Sequence, residues 1–300
     1  MHYQIAKKET LNESVHRIFR EELGQTAKEL NPPFKDLPVA LHNARKSFKK
    51  QRALVRLIRS VIGKEKFQDI NYTLRDLGRR LSVKRDAHVL IETIHTLLEG
   101  TETSQYQPII NTLQRLKANH EEVDADFLQT LQEMIDTIND LKTSITDLPK
   151  IPNSFDSLRP GIVRVYEQGQ SARKTAQENR GSEHYHEWRK QTKYLWHQFQ
   201  LLNPLWPEMM TVWADEVHHL SDFLSKEHDL AVFLTYTEYH DFYKLYPQAM
   251  QLLSSRIKSQ RQELREKAHT LGARIYAEEG QAYGNRLEVY WKTLYPQTGK

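Results

Sequence analysis

Residues 42–56 read His42-Asn43-Ala44-Arg45-Lys46-Ser47-Phe48-Lys49-Lys50-Gln51-Arg52-Ala53-Leu54-Val55-Arg56. Placed on a helix at about 100° per residue, His42, Arg45, Lys46, Lys49, Arg52 and Arg56 fall within an arc of roughly 120°. Ala44, Phe48, Val55, Ile58 and Ile62 fall on the opposite side. One face of such a helix can enter a core while the other presents five permanent positive charges and a histidine. Nothing close in the sequence cancels them. Residues 41–90 hold fourteen Lys/Arg against four Asp/Glu, whereas the whole chain holds 43 and 39, leaving 29 against 35 elsewhere. The small overall charge conceals a concentrated cationic element, which should attract a polyanion.

Going outward from this stretch, every segment repeats the helical period. Leu11, Val15, Ile18, Phe19 and Leu23 predict a helix over 9–30, ended by Asn31-Pro32-Pro33. Asp36 and Pro38 suit the cap and first turn of the basic helix, which is expected to run to about Gly63. Further helices are expected near 65–81, 83–99 (capped by Ser82), 105–118 and 121–146. After a proline-bearing linker at 147–154 come 155–178, 183–203, 207–224, 226–242, 247–272, 273–279 and 281–293. No alternating strand pattern occurs, so the predicted class is all-α. Three hundred residues that are 38% hydrophobic and 27% charged suit a helix-rich globular protein with one large core or two smaller ones. The chain has no cysteine, which excludes disulfides, thiolate metal sites and cysteine nucleophiles. No apolar run approaches the ~18 residues of a membrane span, and Met1-His2-Tyr3-Gln4 has no signal-peptide core. A cytoplasmic protein with no membrane partner is expected.

The chain also repeats itself. A shift of 144 lays His42-x-x-Arg45-Lys46-x-x-Lys49 on His186-x-x-Arg189-Lys190-x-x-Lys193. A shift of 143 lays Leu81-Ser82-Val83-Lys84-Arg85-Asp86 on Leu224-Ser225-Lys226-Glu227-His228-Asp229. Two pseudo-twofold-related helical bundles, 9–146 and 155–293, would each bring one basic helix to a central basic cleft or pore. The repeat is degenerate, because Arg52 and Arg56 become Trp196 and Gln200.

At these residues the sequence resembles the CHAD family, the conserved histidine α-helical domain. The resemblance covers about 9–293. It rests on Leu41 to Lys46, Leu74 to Arg79 with Leu81 to Asp86, His186 to Trp196, Glu227 to Leu230, and Leu271 to Glu278. It implies four-helix-bundle-like halves around a basic pore that binds inorganic polyphosphate without catalysis. The implied pore positions are His42, Arg45, Lys46, Lys49, His186, Arg189, Lys190 and Lys193. Arg52 and Arg56 extend the same basic arc, Arg79, Arg85 and Arg274 lie in the matching segments, His228 takes the slot of Arg85, and Tyr194 could donate to a phosphate edge. The Glu-x-Glu-x-Lys signature of the CYTH domain, a frequent companion, is absent, so a stand-alone member is expected. Sulfate or phosphate would be expected at the site in crystals, and polyphosphate granules would be the expected location in the cell.

The residues by themselves support a polyanion site. Arginine offers a planar donor fork to phosphate oxygens and lysine a movable point charge, and binding through a row of them should weaken steeply with salt. The alternative for each basic run is a solvated helix face, and for His42 and His186 a satisfied interior histidine. Asp86 and Asp229 suit structural roles. RNA or DNA would satisfy the same cations, although no helix–turn–helix or exposed aromatic set is evident. A metal-dependent phosphohydrolase is the third reading. Glu-x-x-His occurs five times, at Glu13/His16, Glu92/His95, Glu183/His186, Glu216/His219 and Glu266/His269. A di-metal bundle could use such pairs, but they are also ordinary helix-surface pairs. The repeat preserves none of them, since Val39 stands opposite Glu183. No cofactor, metal or catalytic residue is expected.

Overall fold

The break after the basic helix sets the direction of the next one. The helix spans Leu37–Leu57 (α2), with Asp36 Oδ1 accepting from the Val39 amide 3.0 Å away and Pro38 in the first turn. It stops at Ile58 rather than near Gly63. Arg59–Arg80 (α3) then turns at Gly63, whose φ of 81° lies in a region that glycine enters without strain. Gly161 lies against the stopping point. A β-carbon there would collide with the carbonyl oxygens of Leu57 and Arg56, so only glycine lets a second helix cross the end of α2 this closely.

The computed structural model describes residues 3–81, 83–121 and 124–295, without the side chains of 83–87 and 119–121. Leu11–Glu29 (α1) precedes α2, opened by a capping box between Thr10 and Glu13. After α3 come Val83–Leu98 (α4), Gln107–Glu121 (α5) and Ala125–Ser144 (α6). The chain continues through Arg159–Asn179 (α7), Ser182–Leu201 (α8), Pro207–Tyr239 (α9), Phe242–Leu245 (α10), Pro247–Ile275 (α11) and Gly280–Leu294 (α12). No strand occurs among the described residues, and the protein is all-α. No helix among them is long and apolar enough to cross a membrane.

Three expectations need correction. The helices expected at 207–224 and 226–242 are one helix of 33 residues, α9. Ser225 does not cap a new helix. Its hydroxyl donates back to the Ser221 carbonyl at 2.7 Å, a bond made inside a continuing helix. The short helix expected at 273–279 does not form either, because α11 runs to Ile275 and then ends. Side chains of α7 take up the backbone groups there. Gln170 Nε2 donates to the carbonyls of Tyr276 and Glu278, and the Glu278 amide donates to the Tyr166 hydroxyl. Lastly, α2 ends at Ile58 and not near Gly63, and Gly161 packs against that end. The proposed Ser82 cap lies outside the described residues.

Apolar burial divides the molecule along a line the linear sequence does not mark. One core joins α1, α2, α3 and α6 to α7, α8, α12 and the first part of α9, around Phe48, Leu54, Trp188, Leu195 and Phe199. A second joins α4 and α5 to α10, α11 and the last part of α9, around Ile94, Ile109, Phe233 and Ile257. Each core therefore draws on both copies of the repeat. At about 1.5 Å per residue α9 is about 50 Å long, and it enters both cores. α2 packs against α8, so the two basic helices are neighbours.

Candidate functional site

Arg45, Lys49 and Arg52 project from successive turns of α2 into a cavity of about 550 Å³. The facing walls supply Arg75 and Arg79 from α3, His186, Arg189 and Lys190 from α8, and His228 and Asp229 from α9. Seven cationic side chains and one carboxylate line this space. Gathered in one space, their fields add.

Four of the arginines, Arg45, Arg52, Arg56 and Arg189, donate to neutral groups, and two, Arg75 and Arg79, lie beside a carboxylate. Arg45 Nη1 donates to the Gly78 carbonyl on α3 at 2.9 Å. Arg189, its counterpart in the repeat, donates through Nε to Ser225 Oγ on α9 at 3.0 Å. Arg52 Nε and Arg56 Nη1 both donate to Asn71 Oδ1, at 3.1 and 2.7 Å. Asp76 pairs with Arg75 at 2.9 Å and lies 3.8 Å from Arg79.

The two histidines touch. Their ring centroids are 4.5 Å apart, and His186 Nδ1 is buried with no hydrogen-bond partner among the described residues. Burial, and then the neighbouring Arg189, lower both pKa values, with His228 pushed down to about 3. Both imidazoles are therefore neutral at pH 7.

A smaller cavity of about 230 Å³ shares Arg52, Asn71 and Lys190 with the first and adds Arg56, Arg59 and Tyr194. The Arg56 guanidinium lies 3.8 Å from the Tyr194 ring centroid. Burial lowers its pKa to about 10, so it stays charged at neutral pH.

Of the fifteen residues expected at the site, Arg45, Lys49, Arg52, Arg79, His186, Arg189, Lys190 and His228 line the larger cavity. Arg56 and Tyr194 line the smaller one, where Tyr194 is a buried ring beneath arginine. Lys46 lies elsewhere, in a cavity it shares with Glu21 and Glu22 of α1. His42 and Arg274 are exposed, and Lys193 is half-buried. Lys193, Lys50 and Lys49 all act electrostatically on the buried His197. The Arg85 side chain lies outside the described residues. The expected 120° arc was too wide. Arg52, Arg45, Arg56 and Lys49 span only about 60° of the wheel, and His42 and Lys46 sit at its edge toward α1.

Sequence reasoning missed Arg75 and Asn71. Arg75 belongs to the Leu74 to Arg79 segment and follows Asn71 by one helical turn, a spacing that puts both on the face turned to α2. The C-terminal arginines divide. Arg261 and Arg265 both bind Glu227 Oε1, at 2.7 and 2.6 Å, and so neutralise a buried carboxylate. Among the described residues no group of three or more His, Cys, Asp or Glu is placed to hold a metal. Glu216 and His219 form an ordinary surface pair at 4.0 Å.

The CHAD domain model matches residues 17–237. The match covers well over half of the chain, and the chain belongs to the CHAD domain family, a family linked to polyphosphate binding. No curated protein matches it.

Proposed function

We propose that this CHAD domain binds inorganic polyphosphate, without cleaving it, in the cavity between α2, α3, α8 and α9. The observation that carries the reading is the seven-to-one excess of cations over carboxylates, drawn from four helices into one space. Polyphosphate is a dense line of charge with nothing else to recognise, and such a lining meets that need. A nucleic acid would also use exposed ring faces for stacking. Tyr72, the exposed aromatic of the lining, already has Arg75 over its ring at 4.7 Å, which favours a ligand without bases.

The histidines support binding over catalysis. Neither His186 nor His228 is hydrogen-bonded to a carboxylate among the described residues, so neither has the partner that orients a general base. As neutral donors they can instead bond phosphate oxygens, and a bound anion would raise their proton affinity. In the cell, such a receptor would collect on cytoplasmic polyphosphate granules.

Competition at fixed salt tests the proposal. Long-chain polyphosphate is expected to displace a labelled RNA of equal charge at a small fraction of the RNA concentration, with no phosphate released on prolonged incubation. Displacement of polyphosphate by RNA at equal charge would favour the nucleic-acid reading. Steady phosphate release that stops on chelation would favour the metal-dependent hydrolase.

A further inference from the structure

Asn71 of α3 is only 6% exposed, yet it borders both cavities. A guanidinium can only donate, so the side-chain oxygen of Asn71 is the atom that faces the arginines. That oxygen accepts from Arg52 Nε at 3.1 Å and from Arg56 Nη1 at 2.7 Å. Arg56 Nη1 also donates to the Arg52 carbonyl at 3.0 Å. The Tyr194 ring of α8 adds a flat support, its centroid 3.8 Å from the Arg56 guanidinium and 5.7 Å from that of Arg52. What these bonds leave over is specific. Arg52 keeps Nη1 and Nη2, and Arg56 keeps Nε and Nη2, without a protein partner among the described residues. Each of these pairs is one edge of a guanidinium fork, able to take two oxygens of one phosphate. None of the four nitrogens is sealed from solvent, and neither is the unpartnered Asn71 Nδ2.

Two like charges one helical turn apart repel, and a shared acceptor holds them together. A carboxylate would hold them as well, but it would cancel a charge that the ligand needs. An amide oxygen holds both and cancels neither. The second half of the repeat has lost the whole device at once. Trp196 and Gln200 replace the two arginines, and under the shift of 143 Ala214 stands at the position of Asn71. We infer that Asn71 is a positioning residue of the anion site, holding Arg52 and Arg56 so that two fork edges stay available to one polyanion. This rests on the polyphosphate reading of the cleft and adds to it a neutral residue on which affinity depends.

Titration of Asn71 variants with long-chain polyphosphate over a range of salt tests the inference. Asn71→Asp is nearly isosteric and still accepts from both arginines, so by circular dichroism it should melt no lower than the wild type. It should bind about ten-fold more weakly, with a slope of log affinity against log salt shallower by about 0.7, the equivalent of one contact. Asn71→Leu removes the acceptor and keeps every cation. It should weaken binding about five-fold at an unchanged slope. In a protein that already carries Arg52→Gln and Arg56→Gln, Asn71→Leu should cost less than about two-fold, because nothing is left to position. Should Asn71→Leu melt early, Asn71→Ala takes its place in this cycle. Wild-type affinity in Asn71→Asp, or a full five-fold loss from Asn71→Leu in the arginine-free background, would overturn the positioning role. If that role fails while Arg45→Gln, Lys49→Gln, Arg189→Gln still weakens binding about 100-fold, the cleft stands without it. Failure of the wild-type protein to bind long-chain polyphosphate would bring down both.

Discussion

α2 and α8 begin alike and end differently. Both open with His-x-x-Arg-Lys-x-x-Lys, and in both the arginine reaches across to the next helix, to the Gly78 carbonyl in one case and to Ser225 Oγ in the other. One and two turns later they part. Arg52 and Arg56 of α2 border the smaller cavity. Trp196, at the position of Arg52, packs on His197 and His218 at 4.8 and 4.4 Å. Gln200, at the position of Arg56, bonds His197 Nδ1 at 2.9 Å. The same two positions line a cavity on one helix and pack among aromatic rings on the other. The basic faces of the two helices are therefore not equivalent.

The helices that follow differ in a related way. α3 and α4 are separate, while α9 is continuous through the matching position and enters both cores. Arg189 therefore rests on an uninterrupted helix, held at Ser225, four residues from Ser221 on the same rod.

The largest expected effect comes from removing the features that α2 and α8 share. The triple change Arg45→Gln, Lys49→Gln, Arg189→Gln should weaken long-chain polyphosphate binding by about 100-fold or more at physiological salt, measured by fluorescence anisotropy. Next come the positions that differ. Arg52→Gln should cost about five-fold in polyphosphate affinity and little in thermal stability. Trp196→Ala should do the reverse, costing about 2 kcal/mol of stability by urea unfolding and less than about two-fold in affinity, since a half-buried ring is lost. Equal effects of the two changes on binding would remove the asymmetry.

A third prediction concerns pH. Burial, then the neighbouring cations, push the His197 and His228 pKa values down to about 3. Both stay neutral in the folded protein as pH falls from about 6.5 toward 3, while the unfolded chain takes up protons, so stability must drop with falling pH across that window. His197→Gln should shrink the fall in Tm between about pH 7 and pH 5, and bound polyphosphate should offset the share due to His228. The smallest effect is expected at Lys46→Gln and Arg274→Gln, each below about two-fold in affinity, because one shares its cavity with Glu21 and Glu22 and the other is solvent-exposed.

Much of this was legible in the sequence, for physical reasons. The 3.6-residue period of Leu11 to Leu23 and of Leu128 to Leu141 marked helices because burial on one face requires it. Asp36 and Pro38 marked the start of α2 because Asp36 accepts from a free amide of the first turn and Pro38 has no amide N–H to satisfy. The repeated basic octad pointed to two facing helices, and its cations from both copies do meet in one cavity. Other features depend on the fold itself. That Lys46 leaves the group while Arg75 joins it is decided by where α1 and α3 lie. The continuity of α9 through Ser225 was not legible, since serine both caps helices and back-bonds within them. The end of α2 packs against Gly161, about a hundred positions away, a contact that local periodicity does not reveal. The pooling of both repeat copies into each core leaves no trace in local periodicity.

The central claim is that cations from both copies of the repeat act together on one polyanion. It is tested most directly by the slope of log affinity for polyphosphate against log salt concentration. With seven cations at the cavity, and about 0.7 released counterions per contact as for other single-stranded polyanions, the wild-type slope should be about −4 to −5. Arg45→Gln, Lys49→Gln, Arg189→Gln should bring it to about −2 to −3. A wild-type slope near zero, or a slope left unchanged by those three substitutions, would contradict the account.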